Sequence, residues 1–108
     1  MLFEISGSKF LIKFAYLDLP SILHEAKEGD TQRAVIASYA LASSPTVIQQ
    51  VKVYCSPKDV YCKRIGRRLA IRKLITYLRR IPNSPKWLAE VNSRKIFWGN
   101  YFERVNDH

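Results

Sequence analysis

Two hydrophobic periods divide this chain. Up to about residue 54 apolar side chains recur at every second position, and beyond it at every third or fourth. Residues 2–6 and 9–17 read as short strands around Gly7-Ser8, with Phe10, Ile12 and Phe14 on one face and Lys9 and Lys13 on the other. Pro20-Ser21 then opens a brief helix over SILHEAKE, which Ser21 caps and Gly29 ends. Residues 32–42, QRAVIASYALA, suit helix or strand by pattern alone. Their Val, Ile and Tyr content, and the alternation of the segment that follows, favour strand. That segment, 46–54, alternates Val47, Gln49, Val51 and Val53 against Ile48, Gln50, Lys52 and Tyr54. Ser43-Ser44-Pro45 supplies the hairpin loop between the two.

The helical period begins at residue 57. Ser56-Pro57-Lys58-Asp59 offers a cap hydroxyl, proline at the first helical position and an acid at the third, while Pro82 stops the helix, so the expected span is 57–81. On a helical wheel Cys62, Ile65, Gly66, Leu69, Ala70, Leu74, Tyr77 and Ile81 form one apolar stripe, taken as the core face. Gly66 lowers helix propensity by about 1 kcal/mol relative to alanine, which implies close packing there. A second apolar row, Ile71, Ile75 and Leu78, lies on the other side. Either the next helix folds back over it, or it is a dimer or partner surface. Ser84-Pro85-Lys86-Trp87 repeats the cap-plus-proline device and predicts a shorter helix over 85–93. The aromatic tail KIFWGNYFERV is left open between a final strand and a segment closing over the core. The expectation is one α+β domain over 1–108: a mostly antiparallel sheet from strands at about 2–17 and 32–54, a long basic helix and a shorter C-terminal one.

Charge sharpens the picture. Residues 57–81 hold nine Lys/Arg against Asp59, a local net charge of +8 in a chain of net +9. The excess belongs to one element, and such a field attracts polyanions. Arg64, Arg67 and Arg68 sit on the outward side near the helix start, where no apolar neighbour calls for cover. Arg64 to Arg72 spans about 12 Å, suited to consecutive phosphates. The phosphate-contacting set read from the sequence is Lys58, Lys63, Arg64, Arg67, Arg68 and Arg72, concentrated in the first three turns. Six such contacts imply a log–log salt slope near about −5 on duplex DNA. Phe97, Trp98, Tyr101 and Phe102, beside Arg94 and Lys95, could stack on bases, although a small domain needs such rings for its core.

Catalytic chemistry is thin. His24 reads as a surface helix residue, His108 is terminal, and Asp59 is most simply a capping acid. GxGxxG, GxxxxGK and GxSxG are missing, and Cys55 and Cys62 lack the spacing of a zinc site. Those two cysteines are too few for a disulfide framework and read as reduced thiols, with a redox pair as the alternative. No enzyme activity, metal or cofactor is expected. The N-terminus has no basic region ahead of an apolar run and no stretch approaches the roughly 20 apolar residues of a membrane span, so the expectation is an intracellular protein without membrane contact.

The run from Cys55 through Ser56, Pro57, Asp59, Tyr61, Gly66, Arg67 and Ala70 to Arg72 resembles a strand-to-helix signature of small phage or mobile-element proteins. That resemblance covers about 20 of the 108 residues. It implies a phage accessory protein, a class that includes nucleic-acid binders and inhibitors of host defence systems. A second likeness, to the last helix of double-stranded-RNA-binding domains, lies in a basic helix following an antiparallel sheet. It departs from that family in strand order and in lacking the glycine-rich turn. The leading expectation is a non-enzymatic nucleic-acid-binding protein, DNA and RNA being undistinguished. The alternative is a phage-type inhibitor that binds a host protein or nucleoprotein complex, through an acidic surface, with the same helix.

Overall fold

The computed structural model describes residues 1–44, 46–55 and 62–106, with the side chains of Cys62 and Asn106 outside the description. The chain forms an α+β domain. Four strands, β1 (Leu2–Ile5), β2 (Ser8–Pro20), β3 (Thr31–Leu41) and β4 (Val47–Tyr54), pair in sequence order as an antiparallel meander. Helix α1 (Cys62–Arg80), a 3-10 turn (Lys86–Ala89) and helix α2 (Ser93–Asn106) follow. The Ser56–Asp59 cap and the Pro45 part of the hairpin loop lie outside the described residues.

Register explains which sheet face is covered. Phe10, Ile12, Phe14 and Tyr16 alternate on one face of β2, opposite Leu41, Tyr39, Ala37 and Val35. Phe10, Ile12, Val35, Ala37 and Tyr39 are all buried there. On the other face Leu2, Leu17 and Val47 stay exposed. The helices therefore pack on one side only: α1 lies against β3 and β4, and α2 against β1. Over β1 and β2 the core is aromatic, with the Phe10 and Trp87 rings stacked at 4.6 Å and 6°. Phe97 completes the group, 4.8 Å from Phe3 and 5.9 Å from Trp87. Trp87 Nε1 donates to the Tyr39 hydroxyl at 3.2 Å, which satisfies an indole that has left water. Burial pushes the Tyr39 phenol up, and the Trp87 hydrogen bond draws it part of the way back.

Three sequence expectations need correction. Residues 21–28 are not a helix. Eight residues nucleate one poorly, and the local polar groups serve turns instead. Ser21 Oγ accepts from Leu23 N at 3.2 Å, the Asp30 carboxylate accepts from Lys27 N at 2.8 Å, and Gly29 sits at φ +92°. The segment is the tip of the long β2–β3 hairpin, braced at its base by the Arg33–Asp18 ion pair at 2.8 Å. The helix expected over 85–93 is only a 3-10 turn. Glu90 ends it in extended conformation, Asn92 turns the chain at φ +61°, and α2 starts at Ser93, so the tail left open between strand and cover is helical.

The third correction concerns the faces of α1. Gly66, Ala70 and Leu74 are buried as expected, but Ile65, Leu69 and Tyr77 are exposed. Of the two readings of Ile71, Ile75 and Leu78, cover by the C-terminal segment holds and the dimer or partner surface does not: they are 0%, 5% and 1% exposed, in one cluster with Trp87, Phe97 and Tyr101. They are core and present no dimer or partner surface. The buried arc is centred near Leu74 because the helix faces both the sheet and the C-terminal segment.

Gly66 marks the closest approach to the sheet. A Cβ added there would lie 2.5 Å from Val35 Cγ2 and 3.4 Å from Cys55 Sγ. Gly66→Ala would gain about 1 kcal/mol of helix propensity but overpack by about 1–3 kcal/mol. We expect a lowered thermal midpoint, recovered when Val35→Ala is added; a G66A protein as stable as the parent would show the approach to be looser than described.

Candidate nucleic-acid interface

Helix α1 contains no acid, and among the described residues the one ion pair is Arg33–Asp18, at the far hairpin. Its cations therefore lack carboxylate partners there, and what separates them is how each is held. Lys63 is exposed, its ammonium 5.2 Å from the Tyr16 ring centroid. Arg67 is turned toward the sheet. Its Nη1 donates to the Tyr16 hydroxyl at 3.2 Å, and its Nε is buried without a hydrogen-bond partner among the described residues. Burial works against the charge, but Tyr16 and then Tyr101 more than offset it, so Arg67 stays cationic. It braces helix to sheet. Lys73, on the other flank, donates to the Lys52 carbonyl at 3.0 Å and sits 5.8 Å from the Tyr77 ring centroid.

The sequence reading placed Arg64, Arg67 and Arg68 on one outward ridge. The structure separates them. Arg64 and Arg72 are exposed, while Arg67 and Arg68 are both half-buried, Arg68 against Phe102 of α2 and Arg67 on the sheet side against Tyr16. Lys58 lies outside the described residues. With Arg67 removed, the surface row becomes Arg64, Arg68, Arg72 and, one step missed from the sequence, exposed Arg79. These positions fall within about 80° of arc and span about 22 Å along the helix axis. The row thus runs nearly the whole length of α1 and is not confined to its first three turns. Its signal is present in the wheel, at spacings of four, four and seven, but confining the site to the first three turns leaves Arg79 out.

Helix α2 runs beside this row. The Arg68 guanidinium lies 5.0 Å from the Phe102 ring centroid, and Trp98 stacks on Phe102 at 5.6 Å and 27°. At the other end Arg79 lines a hollow of about 300 Å³ together with Arg94 and Lys95, at the start of α2. The two helices are therefore antiparallel neighbours, tied at Arg68/Phe102 and meeting again at Arg79/Arg94. Of the four tail aromatics, Phe97 and Tyr101 are core, whereas Trp98 and Phe102 are only half-buried.

The remaining candidate chemistry resolves simply. Among the described residues no three His, Cys, Asp or Glu side chains gather as a metal site would require. Cys55, buried at the end of β4, is disulfide-bonded, which corrects the reading of a reduced thiol. No helix of the described residues is long and apolar enough to cross a membrane. The chain matches no family model, no curated protein and no solved structure.

Proposed function

We propose that this protein binds nucleic acid without catalysing a reaction on it, through phosphate contacts made by Lys63, Arg64, Arg68, Arg72 and Arg79. One observation carries the reading: a row of arginines about 22 Å long on α1 that has no acid within its helix and no ion pair among the described residues. Arginine forks suit phosphate oxygens, and a single-sign ridge raises the local concentration of a polyanion. Purified protein should retard generic DNA or RNA on a gel, with heparin competing. Protein that leaves every nucleic acid unretarded at low salt sinks the proposal.

A second reading draws on Ile65 and Leu69, which are 41% and 43% exposed beside the arginine row. Apolar residues amid cations fit an acidic protein surface, as a phage-type inhibitor of a host complex would use. Ile65→Ser with Leu69→Ser separates the two. Nucleic-acid affinity is unchanged by it if phosphates are the target, and a protein complex held by that face is weakened.

A further inference from the structure

Resting on the nucleic-acid reading, we infer that the seam between α1 and α2 takes a single strand, with Trp98 as the platform on which a base stacks. Three observations meet there. The arginine row supplies one wall, and Arg79, Arg94 and Lys95 outnumber the single acid, Glu90, in the lining of a common hollow at one end. Half-buried Trp98 lies one turn along α2 from that hollow, stacked on Phe102, which in turn carries the Arg68 guanidinium. A phosphate-binding wall beside an aromatic ring is the combination that single-strand binders use, because every base offers a π face and every linkage a charge. In a duplex the base faces are already stacked on each other, so Trp98 has nothing to receive there.

The geometry also explains why the ring is rigid enough to serve. Phe97 and Tyr101 meet Trp98 edge-on, at 5.5 Å and 83° and at 5.6 Å and 86°. Held on Phe102 and between these two edges, the indole has little rotamer freedom left to lose when a base arrives. Trp87, the other tryptophan, is 2% exposed and hydrogen-bonded to Tyr39, so it is not available to a base. The two indoles therefore divide between core and surface.

Base stacking and phosphate contact are common to DNA and RNA, so the test uses fluorescein-labelled oligo-dT, oligo-rU and a duplex of equal length, followed by anisotropy. Trp98→Leu keeps an apolar cover on Phe102 but removes the ring. It should weaken oligo-dT or oligo-rU binding by about 5- to 150-fold, leave the salt slope unchanged, and leave duplex binding untouched. Trp98→Phe should restore most of the affinity. Independently of either variant's stability, single strands should quench the tryptophan fluorescence of the parent protein, and this quenching should vanish in W98F while binding persists. Undiminished single-strand affinity in W98L, quenching that survives in W98F, or tighter binding to duplex than to single strand would each overturn the inference while leaving the phosphate reading standing. Failure to bind any of the three probes would overturn both.

Discussion

Replacing Arg64, Arg72 and Arg79 together by glutamate is expected to abolish nucleic-acid binding, by at least about 100-fold at moderate salt, while leaving the fold intact. The three side chains are exposed, and α1 offers them no acid. Reversing them removes three of the five proposed phosphate contacts and sets negative charge in the path of the polyanion. Each lost contact also lowers the magnitude of the log–log salt slope by about one. The effect on stability has two small parts of opposite sign. Self-repulsion along α1 is relieved, and Arg79 gives up its favourable place in the last helical turn, a matter of about 0.3–1 kcal/mol. Circular dichroism and a thermal melt alongside the binding titration check both halves. Arg67 is left out of the set on purpose. Arg67→Glu would place a carboxylate against Tyr16 where a guanidinium now donates, so this single change should lower the melting midpoint more than the triple reversal does.

The largest stability effect is expected at Trp87→Ala, about 3–5 kcal/mol, because the indole is both packing and polar partner. It stacks on Phe10 at 4.6 Å, neighbours Phe97, and donates to Tyr39. Removing it opens a cavity between the aromatic part of the sheet and α2 and leaves the Tyr39 hydroxyl buried without that donor. A domain of this size has about 5–15 kcal/mol in total, so the variant stands close to unfolding at physiological temperature. Trp87→Phe keeps one ring on Phe10 but loses the hydrogen bond and part of the indole's volume, so its loss should be smaller, about 1–3 kcal/mol. Denaturant titration of the two variants separates packing from polar contribution. Equal losses would mean that the stack contributes little.

Much of this architecture is legible in the residues, and the failures have physical causes. The alternation of Phe10, Ile12 and Phe14, and of Val47 to Tyr54, specifies strands because a half-buried sheet admits only one register. Gly66 points to close packing because it weakens a helix that is otherwise apolar on that face, and Val35 proves to be what it packs on. Ser21 and Gly29 serve a turn as readily as a helix, and at the tip of the β2–β3 hairpin they serve the turn. The tail's aromatics favour strands, whereas Phe97/Tyr101 and Trp98/Phe102 carry the four-residue spacing of a helix, and the helix wins. The candidate site was half visible. Charge located α1, but which arginines face water depends on where α2 lies, and that is a tertiary fact. Arg67 turns inward because Tyr16 and Tyr101 are there to meet it, and Arg79 becomes part of the row because Arg94 and Lys95 arrive beside it.

Whether the arginine row meets phosphates is read out by an ionic-strength series of binding. Log Kobs for oligo-dT and for duplex, plotted against log salt concentration, should fall with a slope between about −3 and −4.5 for four to five phosphates. In the Arg64→Gln/Arg72→Gln protein the slope should be shallower by about two. A slope near zero, or one that these two substitutions leave unchanged, would contradict the account.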